Sequence, residues 1–464
     1  MMQDVLSRSA VEQARLIRER QISSVELMQA HREQIARVNP QINAVIEVLD
    51  RGDAPQPGPL HGVPFSIKDS IEVAGSVCTA GTLGRKHAAP SVADATLVAR
   101  LRAAGALPLA HTNLPDLLFA FESDNLLFGA TRNPYDPART SGGSSGGEAA
   151  LIASCGSPLG LGSDCAGSVR LPAAFCGIAG IKPTSGRLPR TGHFPPSGGW
   201  IEALWQIGPM ARYVEDLIAV MPLLIGTDGC DVSTVSMPFH DPRAVELRDL
   251  RVAFYTDNGI AAADEDVSRV VRAAAKSLAS EVRGIEEARP HGIEQSYDLE
   301  MKLIGADGGD GLWQYLQQLG STAVHPLLRG WLDKLEVYRT DLAGLQSYWA
   351  EWDAYRTGMF AFLRDFDVIL CPAYIHAALP HGTSTLDANF RGFSHTMAFN
   401  LTGWPAAVVR CGETSGGLPV AVQVVARPWR EDVALRVAAA LEETFGGWKA
   451  PRTEPPNPTP VSEE

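Results

Sequence analysis

TSGGSSGGEAALIASCGSPLGLGSDCAGSVRLPAAFCGIAGIKPT, residues 140–184, is the stretch on which the reading of this chain turns. Glycine and serine at this density would suit a linker, yet apolar segments (EAALIA, RLPAAF, GIAGI) alternate with the glycine clusters. A linker has no use for such segments. Backbone free of Cβ atoms between buried elements is suited to close approach to a ligand. On its own, GGSSG at 142–146 also satisfies G-x-S-x-G, the nucleophile elbow. That elbow needs a strand directly before its serine, and RNPYDPART is a loop broken by proline. Taken locally, the glycines read best as a turn opening the helix EAALIAS. A phosphate cradle is weaker still, because no lysine follows the glycines.

Outward from this stretch, helices and strands alternate. GVPFSIKD (62–69) reads as a short strand with Val63, Phe65 and Ile67 on one face and Ser66 and Lys68 on the other. DATLVARLRAAGAL (94–107) reads as a helix capped by Asp94, followed by a strand in PLAHTN. Residues 9–38 read as two helices, the second capped by Ser23 or Ser24, with Val25, Leu27, Met28, Ile35 and Val38 as its apolar stripe. Residues 243–365 read as mostly helical, interrupted near Ala306–Gly311. DVILCPA, AAVVRC and LPVAVQVVA then return to strands before a closing helix, DVALRVAAALEETF. The alternation predicts an α/β fold with a buried sheet.

Composition narrows the function. Of 464 residues, 45% are hydrophobic and 20% charged, enough apolar material for a large core. The net charge of −13 and the lack of a basic run argue against a nucleic-acid groove. Seven cysteines, an odd number without C-x-x-C spacing, predict reduced thiols in a cytoplasmic protein. No His/Cys set has metal-ligand spacing, and the pair His376 and His381 sits in an irregular loop, so no metal is expected. No signal-type leader and no apolar run of membrane-spanning length is visible. The Pro-rich acidic tail at 451–464 is expected to be flexible.

Taken in order, Lys68 at the end of GVPFSIKD, Ser144 in GGSSGG and Ser168 in SDCAGSVR resemble the amidase signature family, as does GPMARYVEDL at 208–217. The likeness is dense over about residues 60–225. It implies one large domain over 1–450: a helical segment at 1–50, a mixed central β-sheet covered by helices, and a helical elaboration near 285–350 beside the site entrance. It also implies a Ser-Ser-Lys triad with Ser168 as nucleophile, Ser144 as relay after a cis peptide bond, and Lys68 as base. A lone lysine at a strand end is ordinarily a surface residue, whereas a base must be deprotonated, which burial favours. Cys165, Ala166, Gly167 and Ser168 match the family's oxyanion hole of successive backbone amides. Ala166 stands where the family carries glycine, and a position needing φ > 0 would make its Cβ strained. Cys165 reads as a small apolar packer, Ser145 as a supporting hydrogen bonder, and Asp164 and Arg170 as braces of the loop.

On the substrate side, Leu118 and Phe119 match the acyl-pocket positions of the long-chain amide hydrolases in this family, with core packing an equal reading. Phe194, Trp200 and Trp205 lie in RLPRTGHFPPSGGWIEALWQIG, the makeup of an apolar loop over a site. The expected substrate is an apolar or aromatic small molecule carrying an amide, anilide, carbamate (urethane) or aryl ester bond. No cofactor is implied, and the oligomeric state stays open, a homodimer among the options. The rival readings are a glutaminase subunit of a tRNA-dependent amidotransferase and a non-catalytic binding protein on the same fold.

Overall fold

A computed structural model of the chain describes residues 2–49, 54–196 and 200–451, leaving out the side chains of Met2, Gln3 and Trp200. Eleven strands form one mixed sheet: β1 (Val45–Val48), β2 (Pro64–Lys68), β3 (Leu107–Thr112), β4 (Leu159–Asp164), β5 (Ala179–Lys182), β6 (Gln206–Ala211), β7 (Arg251–Phe254), β8 (Gly284–Glu287), β9 (Val368–Pro372), β10 (Ala406–Glu413) and β11 (Pro419–Ala426). Their order across the sheet is β1-β3-β2-β4-β6-β5-β10-β11-β9-β7-β8. β3, β2 and β4 run parallel, as do β9, β7 and β8, while the strands between them pair antiparallel.

Helices cover both faces of the sheet. Val409, Val422 and Val424 point into a core with the helices Val214–Leu224, Glu265–Leu278 and Glu431–Phe445. Their neighbours Val408 and Ala421 point into a second core with the helices Gly146–Ala153 and Arg170–Phe175. Because successive strand side chains alternate faces, a doubly covered sheet needs apolar residues at nearly every position. VILCP and PVAVQVVA meet that need, and both strands are buried throughout. On β2, Ser66 and Lys68 are therefore as deeply buried as Phe65 and Ile67.

Local expectations held in part. Ser23 caps the helix Ser24–Ile42 through a capping box with Glu26. Val25 does not join that helix's apolar stripe: it is 76% exposed, while Leu27 and Ile35 are buried. Asp94 is not the cap of the helix Thr96–Ala103; Ala95 occupies that place. The Asp94 carboxylate instead accepts from Ala74 N–H and meets Arg102, satisfying a loop rather than the helix end. The stretch 243–365 is less helical than its pattern suggests, because β7, the helix Glu265–Leu278 and β8 form a parallel unit at the sheet edge. β8 is largely exposed, so Gly284–Glu287 lacks the apolar signal of a strand. Among the described residues no helix is long and apolar enough to cross a membrane. Beyond Pro451, the tail lies outside the described residues.

Candidate active site

Lys68 ends β2 and Ser163 and Asp164 end β4, its parallel neighbour, so all three sit at the carboxyl edge of the sheet. Crevices at that edge of parallel strands are where such folds bind ligands. Ser144 follows a cis peptide bond to Gly143, and Ser145 separates it from the helix Gly146–Ala153. A Cβ on Gly143 would lie 2.6 Å from the Glu122 backbone nitrogen and 2.7 Å from the Ala120 carbonyl oxygen, so only glycine fits there. The two serine loops are tied together, as Ser145 N–H donates to the Ser168 carbonyl at 3.2 Å.

The Lys68 side chain is fully buried, with Nζ 2.6 Å from Ser144 Oγ, 3.1 Å from Ser163 Oγ and 3.4 Å from the Ser163 carbonyl. Burial pushes the lysine pKa down to about 7, against the pull of the Asp164 and Glu148 carboxylates. The buried carboxyl of Glu148 is itself pushed up to about 7 by desolvation, and it accepts hydrogen bonds from Ser66 and Thr112. Near neutral pH this lysine can thus hold a free lone pair beside Ser144.

The loop of residues 165–168 is held from behind. Arg170 grips Asp164 through Nε at 2.9 Å and Nη2 at 2.8 Å, and both residues are buried. Arg170 also donates to the Thr396 carbonyl, Gln423 and Asn400. Burial alone would raise the Asp164 pKa, but the Arg170 charge and hydrogen bonds hold it well below the usual range. Removing one partner of such a buried pair typically costs about 3–5 kcal/mol. Ala166 is free of the strain raised by the sequence, since the left-handed backbone falls on Gly167, at φ 125°. Gly167 itself departs from expectation: its N–H donates to Asp164 Oδ1 at 2.8 Å rather than toward a ligand. The amides of Ala166 and Ser168 have no acceptor among the described residues.

Ser144, Ser163, Cys165, Ala166 and Ser168 line one pocket. Leu118, Phe119 and Phe121 line it, as do Trp205, Ile304 and Trp331, so its surface is mainly apolar. Leu117 and Leu118 hold positive φ at 49° and 68°, a backbone state that L-residues keep only where the surroundings impose it. Trp331, from the helix Pro326–Leu332, meets Phe119 edge-on at 5.3 Å, which brings that helix to the pocket. Phe194 does not line the pocket. Its ring lies between Tyr315 and the Arg85 guanidinium, and the prolines after it face the cavity instead. The Trp200 side chain lies outside the described residues. His376 pairs with Asp264 in a separate place, and among the described residues no three potential ligands converge as a metal site.

Sequence reasoning missed two pocket residues, Ser163 and His193. His193 Nε2 lies 3.0 Å from Ser163 Oγ, one residue removed from the lysine. A histidine beside a cis-proline, in the sequence GHFPP, carries no pattern that would have singled it out.

Comparisons with known proteins agree with this fold. The family model described as Amidase matches residues 26–435. The human fatty-acid amide hydrolase 2 is 30% identical, over 96% of this chain and 90% of that protein. A glutamyl-tRNA(Gln) amidotransferase subunit of Thermus thermophilus is 34% identical, over 91% of this chain and 94% of its own length. Among solved structures, a 6-aminohexanoate cyclic dimer hydrolase complexed with substrate superposes with a TM-score of 0.87 at 27% identity, covering 96% of this chain and 99% of that one.

Proposed function

This chain belongs to the amidase signature family of carbon–nitrogen hydrolases, and from that premise we propose that it cleaves the acyl C–N bond of an apolar or aromatic amide, anilide or carbamate through a Ser168 acyl-enzyme. One observation carries the reading: a fully buried lysine, its pKa near 7, lies 2.6 Å from a serine hydroxyl on the pocket that also holds Ser168.

A serine hydroxyl attacks poorly until a base takes its proton. In the proposed sequence neutral Lys68 accepts the Ser144 proton as Ser144 accepts that of Ser168, and Ser168 Oγ bonds to the carbonyl carbon. The oxyanion meets the amides of Ala166 and Ser168, with Cys165 beside them; losing one such donor typically costs about 10²–10³ in rate. The proton then returns through Ser144 to the leaving nitrogen, and the C–N bond breaks. Water next attacks the acyl-enzyme by the same relay, releasing the acid and restoring Ser168. The same steps would cleave aryl esters.

The likeness to a glutamyl-tRNA(Gln) amidotransferase favours one second reading, a glutaminase working with partner proteins. Glutamine carries an α-ammonium and an α-carboxylate that need charged partners. Among the described residues lining the pocket, Asp164 is the only acidic or basic one besides neutral His193, and its carboxylate is committed to Arg170. The pocket therefore favours the apolar substrate.

The test is hydrolysis of an aryl anilide by the purified chain and by its Ser168→Ala variant. Turnover that vanishes with the variant is expected. An acyl adduct trapped on another serine would refute the nucleophile, and glutamine hydrolysis without anilide turnover would favour the second reading.

A further inference from the structure

Behind Lys68 a chain of hydrogen bonds runs to the proline-bearing wall of the pocket. Ser163 Oγ lies 3.1 Å from Lys68 Nζ and 3.0 Å from His193 Nε2. The other ring nitrogen, Nδ1, lies 3.2 Å from the Pro195 carbonyl oxygen. A carbonyl can only accept, so Nδ1 carries the ring proton. Burial, and then the charge of Lys68, hold the imidazole pKa down at about 3, so the ring is neutral and Nε2 is an acceptor. Two hydroxyls can donate to it, Ser163 at 3.0 Å and Ser70 at 3.2 Å. With its proton given to Nε2, Ser163 Oγ presents only lone pairs to the lysine.

A neutral amine has two N–H bonds and one lone pair. When its N–H groups meet Ser163 Oγ and the Ser163 carbonyl, the lone pair is left for the Ser144 hydroxyl. We infer that His193 is a positioning residue for the reaction, fixing the Ser163 hydroxyl as an acceptor so that the Lys68 lone pair faces Ser144. Without the imidazole, the Ser163 proton is free to turn onto that lone pair and withdraw the base from the relay. His193 touches the Trp205 ring, with centroids 4.4 Å apart, and it precedes Pro195 and Pro196 on the pocket. The same residue thus joins the pocket's cover to its proton acceptor. The inference rests on the reading of Lys68 as base.

The experiment measures kcat and KM for an aryl anilide in four single variants and one double variant beside wild type, the single ones being His193→Phe, Ser163→Ala, Ser163→Thr and Lys68→Ala. His193→Phe keeps a ring against Trp205 and removes both nitrogens. Its kcat is expected to fall about 10- to 100-fold, the scale of a misplaced reacting group, with KM within about twofold of wild type. Ser163→Ala should lose a similar factor, and Ser163→Thr, which keeps the hydroxyl, should recover most of it. Combining His193→Phe with Ser163→Ala should cost no more than the worse single change, because both break one chain. An unchanged kcat in His193→Phe, a loss confined to KM, or additive losses would overturn the inference. If His193→Phe shows no cooperative thermal unfolding, the Ser163 pair decides: wild-type kcat in Ser163→Ala overturns it equally. Wild-type turnover in Lys68→Ala sinks the underlying reading, whereas a silent Lys68→Ala beside an unaffected His193→Phe sinks this inference alone.

Discussion

An ammonium near its usual pKa of about 10.4 cannot accept a proton at neutral pH. Burial of Lys68 brings it to about 7, so the base form should grow as pH rises through that value. The kcat/KM for an anilide is accordingly expected to climb about tenfold per unit below pH 7 and level off above it. A pH profile flat down to about 5 would remove Lys68 from the rate equation. Two neighbouring positions separate packing from hydrogen bonding in the oxyanion loop. A Cβ on Gly167 would lie 2.4 Å from Thr396 Oγ1 and would sit at φ 125°, so Gly167→Ala should lower both melting temperature and kcat. Ala166→Gly restores the family's residue at a position without positive φ, and its kcat should stay within about threefold of wild type. Equal damage from both changes would mean that the loop tolerates neither. At this scale the sequence was highly legible for Lys68, Ser144 and Ser168, whose order and neighbours form a pattern. It was silent on His193 and Ser163, whose meaning depends on what stands beside them.

The helices Ser296–Ile304 and Pro326–Leu332 are absent from the dense part of the motif, yet they bring Ile304 and Trp331 to the pocket. Under the proposed function, substrate preference would be set partly by an element with little sequence signature. Phe119 forms the contact between the two regions, half-buried against Trp331. Phe119→Ala should reduce kcat/KM for a long-chain or aryl acyl amide about tenfold more than for its acetyl counterpart, measured side by side. Equal losses on both would return Phe119 to core packing. Phe194 shows why composition misleads at this scale. An aromatic residue in a Pro/Gly loop was expected over the site, but the chain at Phe194-Pro195 presents its prolines to the cavity and its ring to Arg85. Likewise, Asp94 beside an apolar helix suggested a cap, and a loop amide at Ala74 claimed the carboxylate first.

Across the whole molecule, burying ionisable groups in a doubly covered sheet links stability to pH. Lys68 and Lys182 are both fully buried, and desolvation lowers each to about 7. Their folded-state values lie below their unfolded ones, so between about pH 7.5 and 8.5 each lysine binds more protons in the unfolded chain than in the folded one and contributes a rise of stability with pH. Buried thiols pushed above the usual cysteine range, Cys176 and Cys411 among them, contribute in the opposite direction. Each lysine contributes at most about 1.4 kcal/mol per pH unit. Urea unfolding across that window isolates one lysine's share: the slope of stability against pH in Lys182→Met should fall below that of wild type by about 1.4 kcal/mol per pH unit. An identical slope in the variant would mean that Lys182 is not buried as an amine.

By itself, the sequence determined the α/β class and the run of motifs, because strand alternation, glycine turns and ordered motif residues are local signals carried by neighbouring side chains. It also pointed to the bracing pair Asp164 and Arg170, which flank one short loop and meet across it in a bidentate contact. Only the tertiary structure decided which amides of that loop are already paired, because Gly167 N–H turns to Asp164 while those of Ala166 and Ser168 remain unclaimed among the described residues. It decided, too, that Lys68 is a buried amine and not a surface one. That follows from helices packed on both faces of β2, a long-range burial that no window of sequence around residue 68 contains. The link from Lys68 through Ser163 to His193 has the same origin: a strand end and a loop 30 residues apart meet only when the sheet has closed.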